Sequence, residues 1–200
     1  MSAGGPAQRV TRCCERSRRV LSAAPDNIKM RVERWKVSLF FVVNNMFDIN
    51  KEERYMVEAL KQARQAAKDD EVPVGAVIVH KDIIIARAHN QVETLADPTA
   101  HAEMIAITQA TSFLHNKWLS ECTIYVTIEP CSMCAGALIL ARIGKIVYGA
   151  NDDKTGACGS VLNIANDKKL NHRPRVKKGV LARDCAFLLS EFFKKKRIKK

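Results

Sequence analysis

The sequence predicts an α/β protein in which helices cover both faces of a central mixed sheet of about five strands, a three-layer α/β/α arrangement. Three observations predict it. Short β-branched runs alternate with helical patterns along residues 46–193. The length of 200 residues suits one domain with extensions. Hydrophobic residues make up 47% of the chain and charged residues 27%, which is the composition of a globular protein.

The domain is predicted to begin with a helix and a hairpin. Asn50 and Glu53 form a capping-box signal at the start of the helix. Apolar residues then recur at helical spacing: Met56, Ala59, Leu60, Ala63 and Ala67. Two runs rich in β-branched residues, 72–80 and 83–88, follow and predict a pair of antiparallel strands.

The rest of the domain continues the alternation of helices and strands. Pro98 and Thr99 are predicted to open a helix that ends near residue 110. After it we predict a strand at 123–128, a helix at 131–142 and a strand at 145–149. A glycine-rich loop at 155–160, a strand at 176–180 and a last helix from 182 into the basic end follow. Such an alternation favours a largely buried sheet.

The positive charge lies at the two ends of the chain. Of the net charge of +12, residues 1–36 and 194–200 each contribute +6, and the residues between carry equal numbers of each sign. We interpret 1–45 as a basic, disordered N-terminal extension, with an organelle transit peptide as the alternative. Residues 46–193 form the domain, and the basic tail ends the last helix. Like-charge segments are often simply solvated, and they also attract phosphates.

Cysteine usage and hydropathy indicate the compartment. The seven cysteines are an odd number without disulfide-framework spacing, which predicts a reducing compartment. We therefore expect a cytoplasmic protein, or one of an organelle stroma or matrix if the N-terminal segment is a transit peptide. The longest apolar runs are of about seven residues, whereas a membrane-spanning helix needs about twenty, so no membrane span is expected.

Two segments carry the residues for chemistry: Asp-Pro-Thr-Ala-His-Ala-Glu at 97–103 and Pro-Cys-Ser-Met-Cys at 130–134. Each lies where a loop or strand gives way to a predicted helix, so the backbone dipoles there favour negative charge and lower thiol pKa values. Cys131 and Cys134 are three residues apart and share a helix face, which allows both sulfurs to bind one ion. Together with His101 they predict a zinc site.

The number of ligands indicates which kind of zinc site this is. Three protein ligands leave the fourth position to water, which is typical of catalytic rather than structural zinc. Glu103 projects to a different side of the helix from His101, so we expect it to move protons rather than bind metal. Two alternatives stay open: Cys158 as a fourth ligand, and Cys131 with Cys134 as a thiol–disulfide pair without metal.

Together, the two segments match the H-x-E and P-C-x-x-C signature and resemble the zinc-dependent cytidine deaminase superfamily. From about residue 51 to 197 the chain is similar to the bacterial tRNA-specific adenosine deaminases. The likeness is carried by Glu71-Val72-Pro73-Val74-Gly75-Ala76-Val77, His89-Asn90, Cys134-Ala135-Gly136-Ala137, Ala141-Arg142-Ile143-Gly144, Asp152-Asp153-Lys154-Thr155-Gly156-Ala157 and Asn171-His172-Arg173. The resemblance implies a cytidine-deaminase-like fold.

The resemblance also implies an activity: hydrolytic deamination of adenosine to inosine, with release of ammonia. It assigns one zinc ion per subunit to His101, Cys131 and Cys134. Glu103 would move protons between water, the adenine ring and the departing ammonia. The residues expected to contact the target nucleotide are Asn90, Val74 and Asp152. For Val74 the alternative is that it is an ordinary residue of the hydrophobic core.

The family acts as a homodimer on the wobble adenosine of an arginine tRNA, which implies the tRNA anticodon stem-loop as the partner. Unpaired loop bases cost little to unstack. At the basic end we expect RNA contacts from Phe193, Lys194, Lys195, Lys196 and Arg197. Two rivals remain: a deaminase of free guanine or cytosine, and a non-catalytic RNA-binding domain in which a fourth ligand closes the zinc site.

Overall fold

A computed structural model describes residues 50–198, so the segment 1–45 lies outside the described residues. The five strands are β1 (Gly75–His80), β2 (Ile83–His89), β3 (Cys122–Ile128), β4 (Lys145–Ala150) and β5 (Arg175–Lys178). They form one sheet in the order β2-β1-β3-β4-β5. Strand β1 is antiparallel to β2 and β3, whereas β3, β4 and β5 are parallel. The predicted mixed sheet is confirmed.

Helices cover both faces of this sheet. They are α1 (Lys51–Lys68), α2 (Val92–Leu95), α3 (Ala102–Leu114), α4 (Ser132–Leu140) and α5 (Ala182–Ile198). The side chains of β1 alternate between two hydrophobic cores, because successive residues of a strand point to opposite faces. Ala76 and Ile78 pack with α3 and α4. Val77 and Val79 pack with α1 and α5. The three-layer prediction is therefore confirmed as well.

Glycine at the start of β1 allows the strand to approach α1 closely. A Cβ at Gly75 would lie 2.1 Å from the carbonyl oxygen of Ala59 and 2.4 Å from the backbone nitrogen of Ala63. The Gly75 N–H donates to Thr127 Oγ1 on β3, at 3.1 Å. Because β1 and β3 are antiparallel, the residues before Gly75 lie at the same end of the sheet as the residues that follow β3.

Several predicted boundaries are wrong by a few residues. The first strand begins at Gly75 rather than at residue 72, because Val74 N donates to the Val72 carbonyl in a tight turn. Helix α3 begins at Ala102 rather than at residue 98. The Asp97 carboxylate accepts hydrogen bonds from the Thr99 N–H and hydroxyl, and this closes a local turn before the helix. Helix α2 has four residues and was not predicted, since it is too short for a periodic signal.

Helix α5 carries the described part of the basic end. It continues through Ile198, so residues 194–198 are helical. The cations Lys195, Lys196 and Arg197 lie in its last turn, where the helix dipole favours positive charge. Along the described chain, no helix combines the length and the apolar character needed to cross a membrane.

Candidate metal centre and active site

His101 and two cysteines converge where α3 and α4 begin. His101 immediately precedes α3, Cys131 immediately precedes α4, and Cys134 lies in the first turn of α4. His101 Nδ1 lies 3.7 Å from Cys131 Sγ and 3.5 Å from Cys134 Sγ. The three ligand atoms all lie within 4.8 Å of one another, and within residues 50–198 no fourth His, Cys, Asp or Glu joins them. We call these residues the metal-binding group.

The geometry of the metal-binding group fits zinc. Zinc binds sulfur at about 2.3 Å and nitrogen at about 2.0 Å, so a tetrahedral site separates the two kinds of ligand atom by about 3.5 Å. The two nitrogen–sulfur distances in the structure, 3.5 and 3.7 Å, are close to that value. Two thiols and one imidazole also match the donors that zinc prefers.

The thiol of Cys131 is strongly acidic in this arrangement. The hydrogen bond with Cys134, together with His101, lowers the pKa of Cys131 to about 4. The hydrogen bond between His101 and Cys131 raises the pKa of His101. The N-terminus of α4 adds to the effect, because its unpaired N–H groups favour a thiolate. A thiolate is the form of cysteine that binds metal, so Cys131 is in the state that ligation requires.

Glu103 lies beside the metal-binding group and does not belong to it. It is in the first turn of α3 and is 3% exposed. Its Oε2 atom is buried and has no hydrogen-bond partner among the described residues. Burial raises the pKa of Glu103 to about 7. A carboxyl group with a pKa near neutrality and one unpaired oxygen is suited to accepting and releasing protons.

A cavity of about 610 Å³ lies in front of the metal-binding group, and we call it the main cavity. Glu103, His101 and Cys131 line it. The three predicted nucleotide contacts line it as well: Val74, Asn90 and Asp152. The buried Glu71, for which the sequence predicted no role, is a further lining residue. The volume lies in the range of about 300–1,000 Å³ that small-ligand sites occupy.

The main cavity is adjoined by a second space along α5, of about 750 Å³, which we call the α5 groove. Five residues line both: Val72, Glu93, Lys154, Leu189 and Phe193. Of the other residues predicted to contact RNA, Lys196 and Arg197 line the α5 groove, whereas Lys194 and Lys195 line neither space. The basic end of α5 is therefore next to the opening of the site.

A buried carboxylate fixes the loop that carries Asp152. Glu129 is 1% exposed, and its Oε1 accepts hydrogen bonds from the N–H groups of Cys158 and Ser160, at 2.8 and 3.1 Å. Its Oε2 accepts from the Asp152 N–H at 3.2 Å. Glu129 is also two positions before Cys131, so it joins this loop to a member of the metal-binding group. The sequence does carry a signal for this role of Glu129: it is a charged residue directly after a buried strand, and a buried charge needs hydrogen-bond partners.

Cys158 is separate from the metal-binding group. It is 9% exposed and packs in the core between the sheet and helices α3 and α4. Burial raises the pKa of its thiol to about 12, so the thiol stays protonated. Its position therefore agrees with ordinary packing and gives no support to a fourth ligand.

Comparisons with known proteins show which family the chain is similar to. A family model described as MafB19-like deaminase matches residues 50–197. A tRNA-specific adenosine deaminase of Bacillus subtilis (strain 168) is 46% identical over 152 residues, 76% of this chain and 94% of its own length. That of Aquifex aeolicus (strain VF5) is 50% identical over 145 residues, 72% of this chain and 95% of its own. One solved structure comes from studies of A-to-I editing by tRNA deaminases at the wobble position of transfer RNA. It is 41% identical with a TM-score of 0.66, and the match covers 68% of this chain and 99% of that one.

The fold, the metal-binding group and the buried Glu103 together define a deaminase of the cytidine-deaminase-like class. Within that class, the chain belongs to the family of tRNA-specific adenosine deaminases. The family expected from the two sequence segments is confirmed.

Proposed function

We propose that the protein converts adenosine to inosine at the wobble position of a tRNA. The observation that carries the proposal is the shared main cavity, in which a metal-binding group adjoins a buried carboxyl group with an unpaired oxygen. The identity of 46–50% to tRNA-specific adenosine deaminases supports the choice of substrate. In the reaction, the oxygen of water bonds to carbon-6 of adenine, the carbon–nitrogen bond to the amino group breaks, and ammonia leaves.

One zinc ion per subunit is part of the proposal. His101, Cys131 and Cys134 hold it, and their measured separations support this assignment. When bound, zinc supplies a Lewis acid that lowers the pKa of water to about 7. His101 and Cys131 immediately precede α3 and α4, and Cys134 lies in the first turn of α4; such rigid elements hold a site more accurately than loops do.

Glu103 carries the protons in this proposal. It accepts a proton from the attacking water and delivers it to the adenine ring nitrogen, and it then accepts the remaining proton of the new C6 hydroxyl and passes it to the departing amino group. Its burial supports this role, because a raised pKa lets the same carboxyl group act as base and then as acid near neutral pH. The unpaired Oε2 atom leaves one oxygen free for a substrate or water proton.

The walls of the main cavity bind the target nucleotide. Asn90 is 6% exposed and offers a buried amide to the nucleotide. Val74 supplies an apolar wall for the base. Asp152 is fixed by hydrogen bonds from the N–H groups of Lys154 and Thr155, at 2.9 and 3.1 Å, so its carboxylate is held in one orientation toward the cavity.

The basic end of α5 holds the phosphates of the anticodon stem-loop in this proposal. Replacing Lys196 and Arg197, which both line the α5 groove, by Gln should raise KM for tRNA by about tenfold and reduce the slope of log KM against log salt concentration by about two, with kcat unchanged. The control is Lys168→Gln with Lys169→Gln, which removes the same charge from exposed lysines that line neither the main cavity nor the α5 groove. An unchanged KM and salt dependence in the α5 variant would contradict the assignment.

Sequencing of tRNA after incubation with the purified protein tests the proposed function. We expect inosine at the wobble position and one ammonia released for each inosine formed. Ammonia from free guanine or cytosine, with tRNA unchanged, would instead identify a nucleobase deaminase. Binding of tRNA without any release of ammonia would identify a non-catalytic RNA-binding domain.

The remaining parts of the proposal rest on the family resemblance and on the sequence. From the family we propose a homodimer, and from cysteine usage a cytoplasmic location, with residues 46–193 as the deaminase domain and 1–45 as an extension. The molar mass of the purified protein in solution tests the dimer.

A further inference from the structure

Glu71 is a carboxylate in an unusual place for a charge. It lies four residues before β1, is 1% exposed and lines the main cavity. A buried charge is costly unless hydrogen bonds compensate for the lost water. The partners of Glu71 therefore indicate what this residue does.

Both oxygens of Glu71 accept hydrogen bonds from groups on the cavity wall. Oε2 accepts from the side-chain amide of Asn90 at 3.0 Å, and Oε1 accepts from the Thr94 N–H in α2 at 2.7 Å. Burial acts to raise the pKa of Glu71, but the donors on α2 and Asn90 outweigh it and the pKa is lowered. Glu71 is therefore ionised at neutral pH and can only accept hydrogen bonds.

This acceptor determines the orientation of Asn90. If the amide of Asn90 were turned over, its oxygen would face the ionised carboxylate of Glu71, and two acceptors would repel each other. The backbone of Asn90 is fixed as well, since its N–H donates to the Val74 carbonyl at 3.0 Å. Asn90 thus presents one arrangement of donor and acceptor atoms to the main cavity.

We infer that Glu71 is a positioning residue for the deamination reaction, acting through the orientation of Asn90. The inference rests on the proposed function, because it takes Asn90 as a contact to the target nucleotide. An amide held in one orientation before the substrate arrives avoids an ordering cost during the reaction.

Glu71→Gln tests this inference with almost no change in volume. Glutamine offers one acceptor and one donor group, but the Asn90 amide and the Thr94 N–H both need acceptors. On the anticodon stem-loop RNA we expect kcat/KM to fall by about 10- to 100-fold, mainly in kcat, with zinc content unchanged. In the Asn90→Ala background, the same change should lower kcat/KM by less than about threefold, because the residue that Glu71 orients is already absent.

A stability control separates positioning from general destabilisation. Val79→Ala leaves a cavity in the core between the sheet and α1, away from Asn90, and should lower Tm without lowering kcat/KM. Equal losses of kcat/KM from Glu71→Gln in the wild-type and Asn90→Ala backgrounds would overturn the inference. An inactive wild-type protein would instead count against the proposed function, so the two failures are distinguishable.

A second pair of variants covers the case in which Glu71→Gln folds poorly. Asn90→Asp brings two carboxylates together and should lower Tm. When Glu71→Gln is added, the new amide group at position 71 can donate to the new carboxylate at position 90. The double variant should therefore melt at a higher temperature than Asn90→Asp alone. A double variant that melts no higher would contradict the pairing of these two side chains.

Discussion

Replacing Glu103 by Ala should lower kcat/KM for tRNA deamination by at least about 1,000-fold, because positioned general acid–base groups contribute about 10²- to 10⁴-fold and Glu103 handles several proton transfers. Zinc content should stay at the wild-type level, since Glu103 is outside the metal-binding group. The melting temperature should change little, because one of the two carboxylate oxygens that the change removes is buried without a hydrogen-bond partner. Kinetics, metal analysis and thermal unfolding of the same preparation measure all three.

Glu103→Gln is the control that preserves the volume of the side chain. It keeps the size of the side chain but cannot accept and return a proton, so we expect it to be nearly as inactive as Glu103→Ala. Turnover that survives in either variant with normal zinc content would overturn the proposed proton transfer. A loss of zinc would show instead that Glu103 supports the metal.

Replacing Cys134 by Ala should remove both zinc and activity. The thiol is fully buried and is one of the three proposed ligands, so zinc affinity should fall by at least about 100-fold, more than outer-sphere changes typically cost. Because metal binding is coupled to folding, the melting temperature should fall toward that of the zinc-depleted wild-type protein. Metal content after dialysis and the melting temperature with and without added zinc measure the effect.

Cys158→Ala is the control for this prediction. Cys158 is also a buried thiol, but it packs in the core and is not in the metal-binding group. We therefore expect it to retain zinc and activity. If it loses zinc as Cys134→Ala does, the site has four protein ligands, and the structural-zinc alternative replaces the catalytic one.

The metal-binding group could be predicted from the sequence because its geometry is local. Cys131 and Cys134 are three residues apart at the start of α4, and His101 and Glu103 are two residues apart at the start of α3, so the short spacing keeps the two members of each pair close together. The meeting of the two pairs is not local. It was inferred from the resemblance to a known signature, and the structure brings the ligand atoms of the two segments together.

Helix starts were predicted less accurately than helix existence. The pattern around Pro98 predicted a helix, but the Asp97 side chain closes a turn with Thr99 and delays α3 to Ala102. This delay makes His101 the residue before the helix and frees its side chain from the helical surface. Competition between side chain and backbone for hydrogen bonds decides such boundaries, and a periodic pattern does not record it.

The sequence by itself determined the alternation of strands and helices and, within each of the two segments, the candidate ligands and the carboxylate, because these depend on spacings within one helical turn or one strand. Only the tertiary structure decided which walls enclose the main cavity. Phe193, near the C-terminal end of the domain sequence, lines the cavity, and the carboxylates of Glu71 and Glu129 accept hydrogen bonds from the segments that carry Thr94 and Asp152. Most donors to these two carboxylates are backbone N–H groups, which every residue except proline carries, so no pattern of residue types could reveal those contacts.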